Sequence, residues 1–305
     1  MSAKDAEEMS RCASCGIGGG DEIKLKRCTA CYLVKYCSVK CQKDHRSKHK
    51  KECKKRAAEL RDEILFKQPQ SSFGDCPICC LPLSNDPRKS TMMSCCSKSI
   101  CNGCDYANKK REAEGRLQHK CLFCRKAIPE TDEEALKQWM KRVEANDPVA
   151  IRYIGTERYN EEDYRSAFDY WTKAAAVGDV SAHYQLSTLY DNGEGVEKDE
   201  KKELHHLTEA AIGGNPYAHY NLAILEGRSG RVDRAVKHFI IAAKLGDDGS
   251  LERLKKGYEA GHVSKDDFTG ALRGHEAAIA ATRSPQREEA AEYVKWMEEC
   301  ERTGT

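Results

Sequence analysis

The sequence of 305 residues has little of what a membrane protein, a secreted scaffold or a large folded core requires. Aromatic residues make up 7% of the chain, and no apolar run approaches the roughly 20 residues that cross a bilayer. Residues 1–10 are polar and contain no targeting stretch. The net charge of +2 does not indicate binding to a membrane or a nucleic acid. We therefore expect a soluble intracellular protein, in the cytoplasm or the nucleus.

Cysteine is almost absent from the second part of the chain but abundant in the first. Of the 17 cysteines, 16 lie within the first 124 residues, and Cys300 alone lies beyond them. Disulfides are rare in a reducing intracellular compartment, so clustered cysteines there are more often metal ligands. They form one group in residues 11–54 and another in residues 75–126. We expect two metal-binding modules, and a free thiol at Cys300.

The first group consists of four ligand pairs, and eight soft ligands suit two tetrahedral zinc sites. The pairs are Cys12-x-x-Cys15, Cys28-x-x-Cys31, Cys37-x-x-x-Cys41 and His49-x-x-x-Cys53. His45 competes with His49, but the spacing of His49 from Cys53 places both on one helical face. So short a segment cannot bury a sufficient core. Zinc must then supply the folding free energy, on the order of 10 kcal/mol per ion.

The local sequence around these ligands resembles the MYND finger family. The resemblance rests on Cys28-Thr29-Ala30-Cys31, on Tyr36-Cys37-Ser38 and on the stretch from Cys41 to His45. It implies that the pairs interleave, with Cys12, Cys15, Cys37 and Cys41 on one zinc and Cys28, Cys31, His49 and Cys53 on the other. It also implies a module that binds proline-containing peptides. Because all eight ligands come from the protein, no catalytic metal position is expected.

The chain after this finger predicts a short helix and then a loop. Ala57, Leu60 and Ile64 have helical spacing within Lys54–Lys67, and Pro69 ends the pattern. The basic run from Lys48 to Arg56 suits either a nuclear signal or nucleic-acid patch, or a solvated helix face, and we favour the solvated face.

The second group resembles a RING finger, with Cys76-Pro77-Ile78-Cys79 as its opening and Cys121-Leu122-Phe123-Cys124 as its close. The resemblance implies one zinc on Cys76, Cys79, Cys101 and Cys104, and a second on Cys121 and Cys124 with middle-segment ligands. The third ligand of that second site falls at Cys96, but Lys98 occupies the usual histidine position. Cys95 with Cys96, or Cys96 with His119, can complete the site, and Cys80 is spare. A helix is expected at Tyr106–Leu117.

Two residues bear on ubiquitin ligase activity. In RING ligases an apolar residue at the position of Ile78 contacts the conjugating enzyme, and a basic residue at the position of Arg125 steadies the transferred ubiquitin. Both residue types are present. Lys98 at a ligand position argues against an active RING, because an ammonium group has no lone pair for zinc.

The region after residue 146 carries helical repeats. Their starts are Asp147-Pro148-Val149-Ala150, Asp179-Val180-Ser181-Ala182, Asn215-Pro216-Tyr217-Ala218 and, more weakly, Asp248-Gly249-Ser250-Leu251. Offsets of 32, 36 and 33 residues match a two-helix solenoid repeat. The segment His183–Asp199, with its Gly193-x-Gly195-Val196 turn, resembles the Sel-one-like repeat. The resemblance implies an α-solenoid that binds partner proteins.

Taken together, the sequence predicts a mostly α protein with two small zinc-stabilised modules followed by an α-solenoid of helix-turn-helix repeats. The expected parts are residues 1–10 as a disordered lead, 11–54 as the MYND-type finger, 55–74 as a linker helix and loop, 75–126 as the RING-like module, 127–146 as a connecting helix, 147–283 as the repeats and 284–305 as a C-terminal capping helix. Two zinc ions are expected in each module. Two functions remain open: a scaffold or adaptor that binds proteins or peptides, or a RING-type ligase that binds a ubiquitin-conjugating enzyme.

Overall fold

The computed structural model describes residues 11–20, 23–115 and 117–303, so the predicted lead at residues 1–10 lies outside it. The described part contains twelve α-helices and two small antiparallel sheets, which confirms the predicted mostly α fold. The chain divides into two compact units, Met1–Lys67 and Gln68–Thr305. The second unit holds the second cysteine group together with the repeats. Among the described residues, no helix is both long and apolar enough to cross a membrane.

The first unit consists of two short strands and one long helix. Strand β1 (Lys26–Arg27) pairs antiparallel with β2 (Lys35–Tyr36), and helix α1 (Val39–Leu65) follows. The helix begins at Ser38, whose Oγ accepts a hydrogen bond from the backbone N–H of Cys41 at 3.2 Å. Such an N-cap satisfies one of the free N–H groups of the first turn.

Helix α1 corrects the prediction of a separate short helix at Lys54–Lys67. It runs unbroken for 27 residues from the metal-ligand region to Leu65, because neither proline nor glycine interrupts it. Its basic face is solvated: His49 and Leu65 are its only buried residues in the described chain. Arg56 forms surface ion pairs with Glu59 and Glu63.

The second unit begins with the second cysteine module, which is built on a hairpin and a helix. Strands β3 (Ser90–Met93) and β4 (Lys98–Cys101) pair antiparallel, with Met93 opposite Lys98. Helix α2 (Asn102–Glu114) follows directly and begins four residues before the predicted Tyr106. The hairpin turn and the start of α2 therefore carry most of the middle ligands of this module.

The predicted connecting helix is α3 (Asp132–Glu144), capped by Thr131, whose Oγ1 accepts from the N–H of Glu134. It contacts the cysteine module on one side, where Ser94 Oγ donates to Gln138 at 2.8 Å. On the other side the Trp139 ring stacks on Tyr153 with centroids 4.3 Å apart. The helix thus contacts both the module and the first repeat helix.

Eight helices form four antiparallel pairs. They are α4 (Pro148–Asn160) with α5 (Tyr164–Ala176), α6 (Val180–Asn192) with α7 (Glu200–Ile212), α8 (Pro216–Arg228) with α9 (Val232–Lys244), and α10 (Asp248–Glu259) with α11 (Lys265–Ala281). Each second helix also contacts the first helix of the next pair, which gives a solenoid. Fully buried alanines such as Ala174, Ala210 and Ala242 let neighbouring helices approach closely.

The turns before the second, third and fourth helix pairs share two local features. A glycine in the left-handed region ends the preceding turn, at Gly178, Gly214 and Gly246. An Asp or Asn then caps the next helix, and in the fourth pair this residue is Asp247, not the aligned Asp248. The predicted start of the fourth repeat was therefore wrong by one residue. The side chain of Asp247 accepts from the N–H of Ser250 at 2.7 Å, which identifies it as the cap.

The cysteine module lies along these inter-repeat turns. The N–H of Ser72 donates to the carbonyl of Gly214 at 3.1 Å, and Asn85 Nδ2 donates to the carbonyl of Leu245 at 2.8 Å. The hydroxyl of Tyr217 donates to the carbonyl of Asn85 at 2.9 Å. The module is therefore in contact with the middle of the solenoid as well as with its first helix.

Helix α12 (Pro285–Thr303) does not cap the array as predicted. It packs on α2 of the cysteine module, where Glu289 pairs with Lys110 at 2.8 Å and the ring of Tyr293 lies 5.0 Å from that of Tyr106. Its sequence has helical spacing of the apolar residues Ala290, Val294 and Met297, but only Ala290 is buried, whereas Val294 and Met297 are exposed. The local apolar spacing identified the helix but not the surface that it covers.

Two histidine pairs lie between the paired helices of successive repeats. The Nδ1 atoms of His183 and His206 are 3.0 Å apart, and those of His219 and His238 are 2.9 Å apart. Burial lowers the pKa of His219 to about 4, and burial with the neighbouring His219 and Arg234 lowers that of His238 to about 3. Both are therefore neutral in the folded protein near neutral pH.

We expect acid to destabilise the repeats as the pH falls below about 6.5, the pKa of a histidine in an unfolded chain. Between that pH and the lowered values of His219 and His238, the unfolded chain binds protons that the folded chain excludes. The free energy of unfolding should then fall by up to about 1.4 kcal/mol per pH unit for each histidine. Replacing His238→Asn should make this dependence shallower in urea unfolding between about pH 5 and about pH 7.5.

The control for this experiment is His205→Asn, because the side chain of His205 is 57% exposed. Both variants retain every metal ligand, so acid release of metal affects them equally. An unchanged pH dependence in the His238 variant would contradict the prediction.

Candidate metal centres

Four groups of four Cys or His side chains meet in the described residues, each with its ligand atoms within 4.8 Å of one another. We number them in chain order: the first cluster is Cys12, Cys15, Cys37 and Cys41; the second is Cys28, Cys31, His49 and Cys53; the third is Cys76, Cys79, Cys101 and Cys104; the fourth is Cys95, Cys96, Cys121 and Cys124. In both units, the first ligand pair meets the third and the second pair meets the fourth. This is the interleaving that the two resemblances implied.

The first cluster is assembled by a turn, a strand end and the start of α1. A tight turn after Cys12 is closed by a hydrogen bond from the N–H of Gly16 to the carbonyl of Cys12 at 2.8 Å. The Sγ atom of Cys37, which follows β2, lies 3.6 Å from that of Cys15 and 3.5 Å from that of Cys41. The N-cap at Ser38 turns the chain so that both later cysteines face the same point.

The second cluster takes two ligands from the middle of α1. The Nε2 atom of His49 lies 3.2 Å from Cys31 Sγ, and Cys53 Sγ lies 3.8 Å from that of Cys28. His45 lies outside the cluster, because its Nδ1 atom is 3.1 Å from the hydroxyl of Tyr36. Its ring stacks on that of His49 at 5.8 Å and so orients it. The helical spacing of the sequence had favoured His49 over His45.

The thiols of this finger differ in the direction of their pKa shifts. Burial opposes ionisation of Cys12, but hydrogen bonds from the backbone of Cys15, Cys37 and Ser14 lower its pKa to about 6. Burial and the neighbouring thiols raise the pKa of Cys53 to about 12. Metal ligation requires the thiolate form at every cysteine of the set, whatever the pKa of the metal-free thiol.

The third cluster joins the opening knuckle of the second module to the start of α2. The Sγ atoms of Cys79 and Cys101 are 3.8 Å apart, and the N–H of Cys101 donates to Cys76 Sγ at 3.5 Å. Cys104 is one turn into the helix and completes the group. Cys80 is exposed and lies outside every cluster.

In the fourth cluster, the side chains that lie next to Cys96 are those of Cys95, Cys121 and Cys124. The Sγ atom of Cys95 lies 3.2 Å from that of Cys124, and Cys96 lies 3.8 Å from Cys121. Both adjacent cysteines face the same point because the β3–β4 turn is tight, with the N–H of Ser97 bonded to the carbonyl of Met93 at 2.8 Å.

His119 and Lys98 lie outside the fourth cluster. The Nδ1 atom of His119 is 2.5 Å from Glu112 Oε2. Burial alone would raise the pKa of this carboxyl, but hydrogen bonds from His119 and from the N–H of Lys120 lower it. The ammonium of Lys98 lies 5.8 Å from the centre of the Phe123 ring, in a cation–π contact. Neither side chain is therefore placed to coordinate a metal in this cluster.

The residues singled out for a ligase role are both exposed at turns. Ile78, in the opening knuckle, is 39% exposed, and Arg125, just after Cys124, is exposed with a backbone φ of 63°. Sequence reasoning missed Arg287, whose guanidinium reaches Cys79 Sγ at 3.5 Å from 208 residues away. No local pattern could have indicated so distant a contact.

Comparison with known families accounts for two parts of this architecture. The family described as the MYND finger matches residues 7–53, and the Sel1 repeat matches residues 155–179, 180–215 and 216–247. The chain carries a MYND finger and Sel1 repeats. The MYND finger implies zinc in the first and second clusters, and the other two clusters can also hold a metal. The second and third Sel1 matches begin where α6 and α8 begin, and the α10–α11 pair lies beyond them.

The similar proteins share short stretches with this MYND and Sel1 chain. DAP3-binding cell death enhancer 1 of Rattus norvegicus is 32% identical over 77 residues, which are 25% of this chain and 15% of that protein. Putative beta-lactamase HcpC of Helicobacter pylori is 38% identical over 56 residues, 18% of this chain and 19% of that protein. The chain thus spans less than a fifth of the length of these relatives. A Sel1 repeat protein of Oxalobacter formigenes has a TM-score of 0.44 at 26% identity, over 50% of this chain and 66% of that one.

If the fourth cluster holds zinc, we expect Cys95→Ser to lower the zinc content by about one ion per chain, because a structural site needs all four ligands. His119→Gln should leave the content unchanged, since His119 is held by Glu112. The measurement is metal analysis of the purified full chain, with Cys80→Ser as a control that removes a thiol outside the clusters. Loss of one zinc from the His119 variant but not from the Cys95 variant would contradict this ligand set.

Proposed function

We propose that this chain is a zinc-dependent adaptor that brings proteins together through its MYND finger and its Sel1 repeats. The observation that carries the proposal is the closure of the metal sites. Each cluster in the described residues has four protein ligands, whereas a catalytic zinc keeps a position open for water or substrate. The metal then holds the fold in place and performs no reaction.

We infer that all four clusters bind zinc, two ions in each cysteine-rich module. Cysteine and histidine in tetrahedral sets favour zinc over harder cations. The interleaved pairing of the third and fourth clusters supports a RING-like module in residues 75–126.

The MYND finger presents apolar side chains that suit an apolar or proline-containing peptide. Tyr32 is 55% exposed, Leu33 is 38% exposed and Val39 is 68% exposed. Tyr32 and Leu33 lie in the turn after Cys31, where the N–H of Tyr32 bonds to the carbonyl of Cys28 at 3.0 Å. Metal coordination fixes that turn, so these side chains are held in place before a partner binds. Such preorganisation lowers the entropic cost of binding.

The Sel1 repeats supply a second binding surface. Solenoids of paired helices bind partners along an extended surface. One similar protein is named as a binder of DAP3, which supports a protein as the class of partner. The shared stretch is too short to transfer that partner itself.

We expect the double variant Tyr32→Asn with Leu33→Ser to weaken peptide binding by about 10-fold, because it removes about 1.4 kcal/mol of apolar contact. Asn tolerates the left-handed backbone of Tyr32, whose φ is 57°. The probe is a panel of fluorescein-labelled peptides with prolines between apolar residues, read by fluorescence anisotropy. The control Ile64→Ser removes an exposed apolar side chain late in α1. Unchanged affinity with intact zinc content would rule out this surface.

A RING-type ubiquitin ligase is the second candidate, and the exposure of Ile78 and Arg125 favours it. A RING acts by positioning a charged conjugating enzyme against its substrate, so it needs no nucleophile of its own. In this function the MYND finger and the repeats would recruit the substrate.

For the ligase, we expect ubiquitin chains when the purified chain is combined with activating enzyme and a panel of conjugating enzymes. Ile78→Ala should reduce chain formation by about 10-fold or more while zinc content stays constant, as for loss of a central interface contact. Leu136→Ala on α3, 42% exposed, is the matched control. Absence of chains across the whole panel excludes the ligase and leaves the adaptor.

A further inference from the structure

The C-terminal helix reaches a metal ligand of the RING-like module through Arg287. One terminal nitrogen of its guanidinium donates to the carbonyl of Pro82 at 2.7 Å, and to that of Thr282 at 2.8 Å. The other donates to the carbonyl of Leu81 at 3.2 Å and to Cys79 Sγ at 3.5 Å. The planar, forked guanidinium thus donates hydrogen bonds both to the backbone that follows the Cys76–Cys79 knuckle and to the ligand thiol.

The backbone at residue 103 packs tightly against the start of α12. Gly103 lies between the ligands Cys101 and Cys104, and a Cβ there would be 2.7 Å from the backbone nitrogen of Arg287. A side chain at position 103 would therefore displace the start of α12. The absence of that side chain lets the helix start lie directly against the metal-ligand turn.

Beyond its first turns, α12 packs on α2 with little burial. Ala290 is its only buried residue in the described chain, and residues 291–299 are all exposed. Its other contacts with α2 include the Lys110–Glu289 ion pair, whose side chains are 52% and 50% exposed, and the Tyr106–Tyr293 ring contact. An ion pair whose side chains are this exposed to solvent contributes little to stability. The hydrogen bonds of Arg287 are therefore the main polar attachment of this helix.

We propose that Arg287 is a positioning residue of the third cluster, and that zinc in this cluster and attachment of α12 stabilise each other. A zinc ion with four thiolates carries a net charge of about −2, which a guanidinium partly offsets. A thiolate also accepts a stronger hydrogen bond than a thiol. Zinc therefore strengthens the contact, and by reciprocity the contact must strengthen zinc binding by the same factor. The inference rests on the proposed zinc binding by this cluster.

The first test measures zinc release from the full chain into excess chelator. Arg287→Gln should release one of about four zinc ions about 10-fold or more faster, the usual effect of losing an outer partner of a metal ligand. Arg287→Lys keeps the charge but loses the fork, so it should restore part of the effect. The control Arg283→Gln removes an exposed arginine one turn before. In Co²⁺-substituted protein, the thiolate-to-metal absorption band should shift in the Gln variant alone.

The reciprocal test measures hydrogen exchange across residues 285–303. Cys104→Ser, which removes a ligand of the third cluster, should speed exchange of this helix, whereas Cys41→Ser in the MYND finger should not. Ala290→Glu detaches the helix without touching a metal-ligand turn. It should therefore also speed zinc release, which keeps the test decisive if Arg287→Gln folds poorly.

Two results would overturn the inference in different ways. Four bound zinc ions, with unchanged release and an unchanged Co²⁺ spectrum in the Arg287→Gln and Ala290→Glu variants, would remove the coupling and leave the zinc assignment standing. If the wild-type chain binds no metal at Cys79, both the coupling and the zinc assignment of the third cluster are wrong.

Discussion

With the zinc ions proposed above, metal coordination is the constraint on which both cysteine-rich modules depend. Each cluster must bring together ligand pairs that are separated in sequence by another pair, and neither segment has an apolar core large enough to do so. In this proposal the ion replaces the core and holds together the turns that carry the ligands. Tyr32, next to Cys31, and Ile78, between Cys76 and Cys79, lie on turns that carry these ligands.

The repeats follow a different physical rule. Their helices approach closely because fully buried alanines stand where larger residues would separate them. The glycine and Asp or Asn turn then resets the chain direction between pairs. Both features are local in sequence, which is why the starts of the repeats could be predicted to within one residue. The fourth pair started at Asp247 rather than Asp248 because side-chain capping, not alignment, decides where a helix begins.

The metal site could be predicted as far as local spacing extends. Ligand pairs follow from turns and helical faces, and family resemblance supplied their interleaving. The partners of Cys96 stayed open because that choice depends on the tight β3–β4 turn and on Glu112, which holds His119 away. The position of α12 was wrong for a related reason. Its apolar spacing specifies a helix, whereas the surface it covers depends on Gly103 and Arg287, which lie far apart in sequence.

The contacts of the RING-like module with the repeats change how such an array can unfold. An open solenoid frays from its ends, and its stability is close to a sum of neighbouring repeats. Here α3 joins the module to the first pair, Asn85 contacts the turn before the fourth, and α12 returns to the module. Unfolding from either end of the array must therefore break contacts with the RING-like module. We therefore expect residues 68–303 to unfold cooperatively as one unit, and to fold slowly because contacts of such long sequence separation must form first.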